Sequence, residues 1–149
     1  MQNLFDTNTY KEIVDRLNNL TPGSPAKWGK MDVAQMMAHC KEAFKVPLSE
    51  KPLPRIFIGR IFGPFIKSKL YNEDPWKQNL PTSPDFIIKG PRDFHTEKTN
   101  LLNLINKFYG AGPMGISKYP HPFFGKFTPE QWGQSMFKHI DHHLSQFGA

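Results

Sequence analysis

The stretch TPEQWGQSMFKHIDHHLSQF, residues Thr128–Phe147, has the strongest helix start in the sequence and carries three of its six histidines. Thr128 and Gln131 match the pattern of a capping box, and Pro129 stands at the first helical position. Gly148 follows at a point where helices commonly end. The apolar residues that fall on one face are Trp132, Met136, Ile140 and Phe147. We therefore predict a long helix that buries this face.

Two histidines of this helix lie on or beside the predicted buried face. His139 and His143 are four residues apart, so their Cβ atoms are about 5–6 Å apart and both imidazoles can bind one metal ion. His142 falls off the face and is expected to point outward, and Asp141 is expected to be solvated. Pairs at this spacing also occur by chance as half-buried surface residues, so spacing alone leaves both interpretations open.

Apolar periodicity predicts three further long helices. They run from about Thr7 to Leu20, from Asp32 to Pro47 and from Pro91 to Phe108. Asp32 and Gln35 match a second capping box, and Gly110–Pro113 closes the helix that begins near Pro91. Together with one shorter helix inserted between the second and third long helices, this pattern predicts an all-α bundle in a single domain, residues 1–149.

The segment Arg55–Phe62 predicts the shorter helix, which is apolar on nearly every side. Such a helix must be mostly buried or must face a partner, and a homodimer formed through it is one interpretation. Gly63 and Pro64 should break or kink it before Phe65–Leu70. Long irregular connections are expected over Tyr71–Gly90 and Met114–Phe127.

Composition excludes several classes of protein. The chain has 149 residues, of which 38% are hydrophobic, and a net charge of +6, which excludes a disordered or collagen-like chain. Its single cysteine, Cys40, excludes an intramolecular disulfide and a zinc finger and favours a reducing compartment. No apolar run is long enough to span a membrane, and Met1–Tyr10 has no secretory signal. We therefore expect a cytoplasmic protein.

Positive charge is concentrated in residues 41–69, which contain seven basic and two acidic residues. A basic segment with aromatic and aliphatic side chains can bind an anionic substrate, an anionic membrane surface or nucleic acid. It can equally be a solvated flank around a buried helix. No helix-turn-helix, RNA-recognition or zinc-finger motif accompanies the segment, so we expect no specific nucleic-acid binding.

Further candidate site residues lie in other parts of the sequence. His39, at the edge of the apolar stripe of the second helix, is either a third metal ligand or a hydrogen-bonded border histidine. His121, in the loop before the last helix, is a catalytic candidate as a fourth ligand or proton shuttle, or else a solvated loop residue. Glu97 and Gln146 either orient a ligand imidazole or lie on helix surfaces. Cys40 points into the apolar stripe and is expected in the core.

The string HIDHHLSQ, His139–Gln146, resembles the His-x-x-His-His-x-x-Gln signature on the last helix of the DinB-like (YfiT-like) superfamily. His39, within Met36–Cys40, matches the first histidine of that family. The segment His121–Thr128 looks like the stretch before the last helix in an uncharacterised branch. The resemblance follows the order of elements over the whole chain, although only the histidines and their surroundings are specific.

This resemblance implies a four-helix bundle with a divalent metal, typically zinc or nickel, at one end. The ligands carried over to this sequence are His39, His139 and His143, with an open coordination position. The apolar, basic insert around Arg55–Leu70 has no counterpart in the compact form of the family, so the mouth of the site is expected to differ.

Two function hypotheses follow from these observations. The first is a divalent-metal-dependent enzyme with a small-molecule substrate. Relatives in the superfamily include thiol-dependent transferases, in which the metal activates a low-molecular-weight thiol, and hydrolysis by an activated water is the other reaction considered. The second is a non-catalytic metal-binding or stress-related interaction protein that engages a partner through residues 41–69.

Overall fold

The computed structural model describes residues 1–149 and is all-helical, with five α-helices and no strand. The helices are α1 (Thr7–Asn19), α2 (Val33–Lys45), α3 (Phe57–Ile66), α4 (Phe94–Gly115) and α5 (Pro129–Gln146). Short 3-10 turns occupy Lys67–Leu70 and Pro84–Phe86 within the long connection between α3 and α4. None of the helices combines the length and apolarity that crossing a membrane would require.

Side-chain caps set the starts of α2 and α5. The Asp32 carboxylate accepts a hydrogen bond from the Gln35 backbone N–H at 2.8 Å, and the Gln35 side-chain oxygen accepts one from the Asp32 backbone N–H at 3.0 Å. Thr128 and Gln131 form the same reciprocal pair: each backbone N–H donates to the other residue's side-chain oxygen at 3.1 Å. Both predicted capping boxes are therefore confirmed, and each satisfies amide groups that the helix itself leaves unpaired.

Four helices pack around the core. α2 lies along α4 and contacts α5, and α1 contacts α4 and α5. Fully buried apolar side chains from all four fill the space between them, among them Ile13, Leu17, Met36, Met37, Phe44, Leu101, Ile105, Phe108, Ile140 and Leu144. Cys40 is fully buried among them, as predicted, and burial raises the pKa of its thiol well above the usual range. Removing these side chains from water supplies the main stabilisation of the fold.

α4 bends near its end. Gly112 has a φ of 63°, in the left-handed region that favours glycine, and Pro113 follows it. The stop predicted at Gly110–Pro113 is therefore present as a kink, after which a further turn reaches Gly115.

α3 differs from its prediction in two respects. It continues through Gly63 and Pro64 to Ile66, so the break is absent and a kink at this point stays a prediction. Proline removes one helical hydrogen bond, but the carbonyl it leaves unpaired belongs to an exposed helix and can be hydrated. The prediction that the rest of the chain buries α3 is wrong, because the only buried residues of this helix are Gly59 and Gly63. The partner named as the alternative to burial stays a prediction.

Two glycines attach α3 to the loop before α5. A Cβ atom at Gly59 would lie 2.6 Å from Phe123 Cα, and one at Gly63 would overlap the Phe123 carbonyl oxygen. The Ile56 backbone N–H and the Arg55 Nε–H both donate to the Pro122 carbonyl, at 3.0 and 3.1 Å. Among the helical elements, α3 contacts only the 3-10 turn at Lys67–Leu70. It is therefore held on the outside of the packed helices.

Replacing Gly63 by alanine is expected to detach α3 from the Phe123 backbone, because the added methyl group has no space. Since α3 does not contact the four packed helices, the core should stay folded while residues 51–69 become accessible. We expect several-fold faster tryptic cleavage after Arg60, measured by mass spectrometry under native conditions.

Gly110→Ala is the matched control, because a Cβ atom at Gly110 meets nothing within 4 Å and the residue lies in α4. It should leave the cleavage rate unchanged and raise the free energy of unfolding by about 0.5–1 kcal/mol. Equal cleavage rates for the two variants would contradict the close approach of α3 to Phe123.

Candidate metal centre

Packing of α2 against α5 brings three histidines together. His39 comes from α2, and His139 and His143 come from successive turns of α5. One ring nitrogen from each of the three lies within 4.8 Å of the others. Nε2 of His39 and Nε2 of His139 are 3.2 Å apart, close to the roughly 3.3 Å expected between two ligands of a tetrahedral ion at 2.0–2.1 Å. The cluster could therefore hold a metal ion.

A backbone carbonyl selects the tautomer of His39. Nδ1 of His39 lies 2.9 Å from the carbonyl oxygen of Phe86, in the 3-10 turn Pro84–Phe86. A carbonyl only accepts, so Nδ1 must carry the proton. The neutral ring then has its lone pair on Nε2, the atom that faces His139. A ligand imidazole held in this way is the usual arrangement around bound metals.

Gln146 does the same for His143. Its Nε2 donates to the Trp28 carbonyl at 2.7 Å, which fixes the orientation of the amide. Oε1 of Gln146 therefore faces Nδ1 of His143, at 2.9 Å, and accepts its proton. This leaves the lone pair of His143 on Nε2. Gln146 is 3% exposed, so the interpretation as a helix-surface residue is wrong and the interpretation as an orienting residue is confirmed.

His139 lacks such a partner. Its Nδ1 atom is buried and makes no hydrogen bond. With His39 and His143 both presenting unprotonated Nε2 atoms, the cluster holds more acceptors than donors, and lone pairs buried without a donor are costly. A cation bound among them would remove that cost. The donor set, three imidazoles and no carboxylate, matches the nitrogen ligands that zinc and nickel accept.

Burial keeps these imidazoles neutral. Desolvation lowers the pKa of His39, lowers that of His139 far below its usual range, and lowers that of His143 to about 3. The like charges of neighbouring histidines act in the same direction on His139 and His143. A metal binds the neutral imidazole through the ring nitrogen that carries no proton, so the three histidines are ready to bind an ion at neutral pH.

Aromatic rings surround the cluster. The Trp76 ring centroid lies 5.9 Å from that of His139 and 5.6 Å from that of His142. The ring of Trp28 also contacts His142, with their centroids 5.7 Å apart. The ring of Phe86 packs edge-on against that of His39, at a centroid distance of 6.1 Å. His142 was expected to point outward, but the structure places it half-buried between two tryptophans. The half-buried rings of Trp28, Trp76 and Phe86 therefore form an aromatic border around the histidines.

A buried lysine anchors the segment that carries Trp76. Nζ of Lys138 donates to the carbonyls of Lys69 and Asn72, at 2.8 and 2.9 Å, and to the Asn72 side chain. The Trp76 indole N–H donates to the Lys69 carbonyl at 2.9 Å. Lys138 is 7% exposed and immediately precedes His139. Sequence patterns did not single it out, because a lysine beside a buried stripe is normally a solvated flank.

Comparison with known families decides where this chain belongs. The model of the family described as protein of unknown function, DUF1569, matches residues 3–149. The chain belongs to the DUF1569 family. No curated protein and no solved structure is significantly similar to it. The family carries no described activity, so the histidine cluster is the observation from which a function must be argued, and the DinB-like resemblance stays a prediction.

Two acidic residues pair with basic residues of other helices. Glu97 is buried and accepts from Nζ of Lys41 at 2.6 Å, so it is neither a solvated residue nor a partner of a cluster imidazole. Asp141 was expected to be solvated, and its side chain is 40% exposed while it pairs with Arg16 of α1 at 2.7 Å. Both pairs join neighbouring helices, and neither belongs to the histidine cluster.

His121 lies apart from the three histidines. Its Nδ1 accepts the backbone N–H groups of Phe123 and Phe124 at 3.0 and 3.2 Å, which shapes the loop on which α3 rests. Its ring centroid is 5.8 Å from that of Trp132, seven residues before His139 and therefore about 10 Å away along α5. The structure does not bring it to the cluster as a fourth ligand.

His121 should make the stability of the chain depend on pH. Burial and the Arg55 charge lower its pKa from 6.5 to about 4. The stabilisation of its neutral form is complete above pH 6.5 and is lost as the pH falls from 6.5 towards 4. His121→Asn keeps an oxygen acceptor for the Phe123 N–H but does not titrate. Between pH 7 and 5, wild type should lose about 1–2 kcal/mol more unfolding free energy than this variant.

Urea unfolding at the two pH values measures this difference. The other histidines are present in both proteins, so their contributions cancel in the comparison. Equal losses in wild type and His121→Asn would contradict a neutral, buried His121.

Proposed function

We propose that the chain is a DinB-like metalloenzyme. Its bundle consists of α1, α2, α4 and α5, with α3 as the inserted helix. It binds one divalent ion, zinc or nickel, through His39, His139 and His143, and it acts on a small-molecule substrate. The observation that carries this proposal is the orientation of the imidazoles, because Phe86 and Gln146 hold Nδ1 of two of them and leave Nε2 free to bind.

The protein's own residues prepare this centre before any ion binds. Burial keeps the ligand rings unprotonated, so binding does not have to displace protons at neutral pH. Trp28 and Trp76 limit the access of water to the histidine rings. The anchor of Lys138 on Asn72 holds the Trp76 segment in place next to His139.

A bound ion would supply Lewis acidity, which lowers the pKa of a thiol or water molecule in its open position. Because the three protein ligands are neutral, none of them offsets the ion's charge, and an anionic sulfur or oxygen is the favoured fourth partner. We propose thiol-dependent transfer ahead of hydrolysis, supported by the resemblance to the thiol-dependent transferases of the DinB-like superfamily. In that reaction the thiol S–H bond breaks and the sulfur forms a bond to the electrophilic atom of an acceptor. The bond between that atom and its leaving group breaks, and the leaving group departs with the electron pair and takes up the proton that the thiol released.

Metal content and thiol binding test this proposal together. Wild-type protein, stripped with a chelator and dialysed against zinc, should bind one ion per chain. Loss of a residue that hydrogen-bonds to a ligand typically weakens metal binding by roughly 10–100-fold. Loss of a ligand itself should weaken zinc binding further, and this is expected for each of the variants His39→Ala, His139→Ala and His143→Ala. With cobalt(II) in place of zinc, adding free cysteine should produce a sulfur-to-metal absorption band in wild type only.

His95→Ala is the matched control, because His95 is an exposed histidine outside the cluster, and it should bind zinc like wild type. Equal zinc affinity in wild type and the three cluster variants would overturn the metal site. Zinc binding with no cysteine-dependent band, together with ester hydrolysis that the cluster variants lack, would replace transfer by hydrolysis.

Gln146 should control metal affinity through His143. Gln146→Leu removes the acceptor at Nδ1 of His143 and should weaken zinc binding by about 10–100-fold. Gln146→Glu retains an acceptor there, although it loses the donor to the Trp28 carbonyl and adds a negative charge, so its affinity should stay closer to wild type. Competition with a chromophoric chelator measures both. If the two variants bind zinc equally weakly, zinc affinity depends on the hydrogen bond from Gln146 to the Trp28 carbonyl and not on the one to His143.

A further inference from the structure

α3 exposes an apolar surface that the rest of the chain does not cover. Its six large apolar side chains are each between 42% and 80% exposed: Phe57, Ile58, Ile61, Phe62, Phe65 and Ile66. The two glycines of the helix, Gly59 and Gly63, face the loop at Phe123 instead. A surface helix normally directs its apolar stripe inward. α3 does the reverse, and a contiguous apolar patch of this kind marks an interaction surface.

The charges around α3 have one sign. Residues 51–69 contain five basic residues, Lys51, Arg55, Arg60, Lys67 and Lys69, and no acidic residue. The other two basic residues of the 41–69 segment are compensated locally, because Lys41 pairs with Glu97 and Lys45 pairs with Glu42. Glu50 is the one acidic residue of the segment outside these pairs, so the charge that remains around the exposed apolar helix is net positive.

Charge distinguishes between the two main candidates for the covering partner. A second copy of the chain would place two sets of five positive charges and no negative charge against each other, which opposes association. An anionic bilayer surface is complementary on both counts, because its headgroups attract the basic residues and its acyl boundary accepts Phe and Ile side chains. We propose that α3 docks the protein on an anionic lipid surface.

The dimensions of α3 fit this role. Ten residues make a helix about 15 Å long, half the thickness of the hydrocarbon core, so it lies along the surface and does not cross. Phe57, Ile61 and Phe65 follow one another on the face opposite the glycines and enter the acyl boundary. Arg60 lies to one side and Lys69 follows the last turn, and both are exposed and can reach the headgroups. Nζ of Lys67 instead donates to the Lys126 carbonyl and lies over the Phe127 ring.

Flotation of the full-length protein with lipid vesicles tests this docking. Vesicles of phosphatidylcholine with about one third phosphatidylserine should carry wild-type protein at low salt, and vesicles of phosphatidylcholine alone should carry little. Binding should weaken as salt screens the basic residues. The substitutions Phe57→Gln and Phe65→Gln together should lower the apparent partition at least about tenfold, as should Arg60→Gln and Lys69→Gln together.

A matched control removes two exposed lysines elsewhere, Lys11→Gln and Lys30→Gln, for the same change in net charge. It should retain binding. All substituted side chains are exposed, so helical circular dichroism and zinc binding should equal those of wild type in every variant, which separates this test from that of the metal centre.

Three results would overturn the docking. The first is no flotation of wild type with anionic vesicles at low salt. The second is flotation that survives the substitutions at Phe57 and Phe65 or is lost equally in the Lys11 and Lys30 control. The third is a dimer in sedimentation equilibrium that the Phe57 and Phe65 substitutions dissociate, in the absence of vesicle binding, which would assign the surface to a second copy of the chain.

Discussion

The close approach of α2 to α5 is the constraint on which the rest of the site depends. It brings Nε2 of His39 to 3.2 Å from Nε2 of His139 in buried surroundings. Imidazoles so close together cannot all be protonated, because desolvation and mutual repulsion both oppose the charged form. Their lone pairs point at one another only because Phe86 and Gln146 occupy the opposite edges of two rings. Helix packing thus sets the protonation states, and the protonation states set the chemistry that the cluster can perform.

Local signals predicted the parts of this arrangement that lie within one helix. The capping boxes at Asp32 and Thr128 and the shared face of the α5 histidines depend on helical geometry alone. The pairing of His39 with α5 depends on contacts a hundred residues apart, so the sequence could offer it only as a candidate. The burial of Gln146 was missed because a loop without periodicity, at Trp28, covers it. The burial expected of α3 is wrong because apolarity does not specify which molecule covers a helix.

The chain departs from the usual distribution of polar and apolar groups in two places. It encloses a cluster of three imidazoles in which Nδ1 of His139 is buried without a hydrogen bond, which costs free energy. It also leaves the apolar side chains of α3 in water, which forgoes the stabilisation that burial would bring. Neither departure is compensated within the chain. The core between α1, α2, α4 and α5 is predominantly apolar, and its one buried side-chain donor without a hydrogen bond is the Trp132 indole N–H. The two exceptions are therefore where a ligand or a surface has the most free energy to contribute.

The contacts of Lys138 have a mechanical consequence. The chain runs from α3 through the turn at Lys67–Leu70 to Trp76, which packs on the histidine cluster. The backbone therefore connects α3 directly to the surroundings of the cluster. Lys138 binds the carbonyls of Lys69 and Asn72, between these two points, and ties them to the rigid helix α5. The lysine therefore fixes this part of the connection to α5 by hydrogen bonds. Moving the Trp76 segment relative to α5 requires these hydrogen bonds to break, so the position of the indole beside His139 is set by α5 itself.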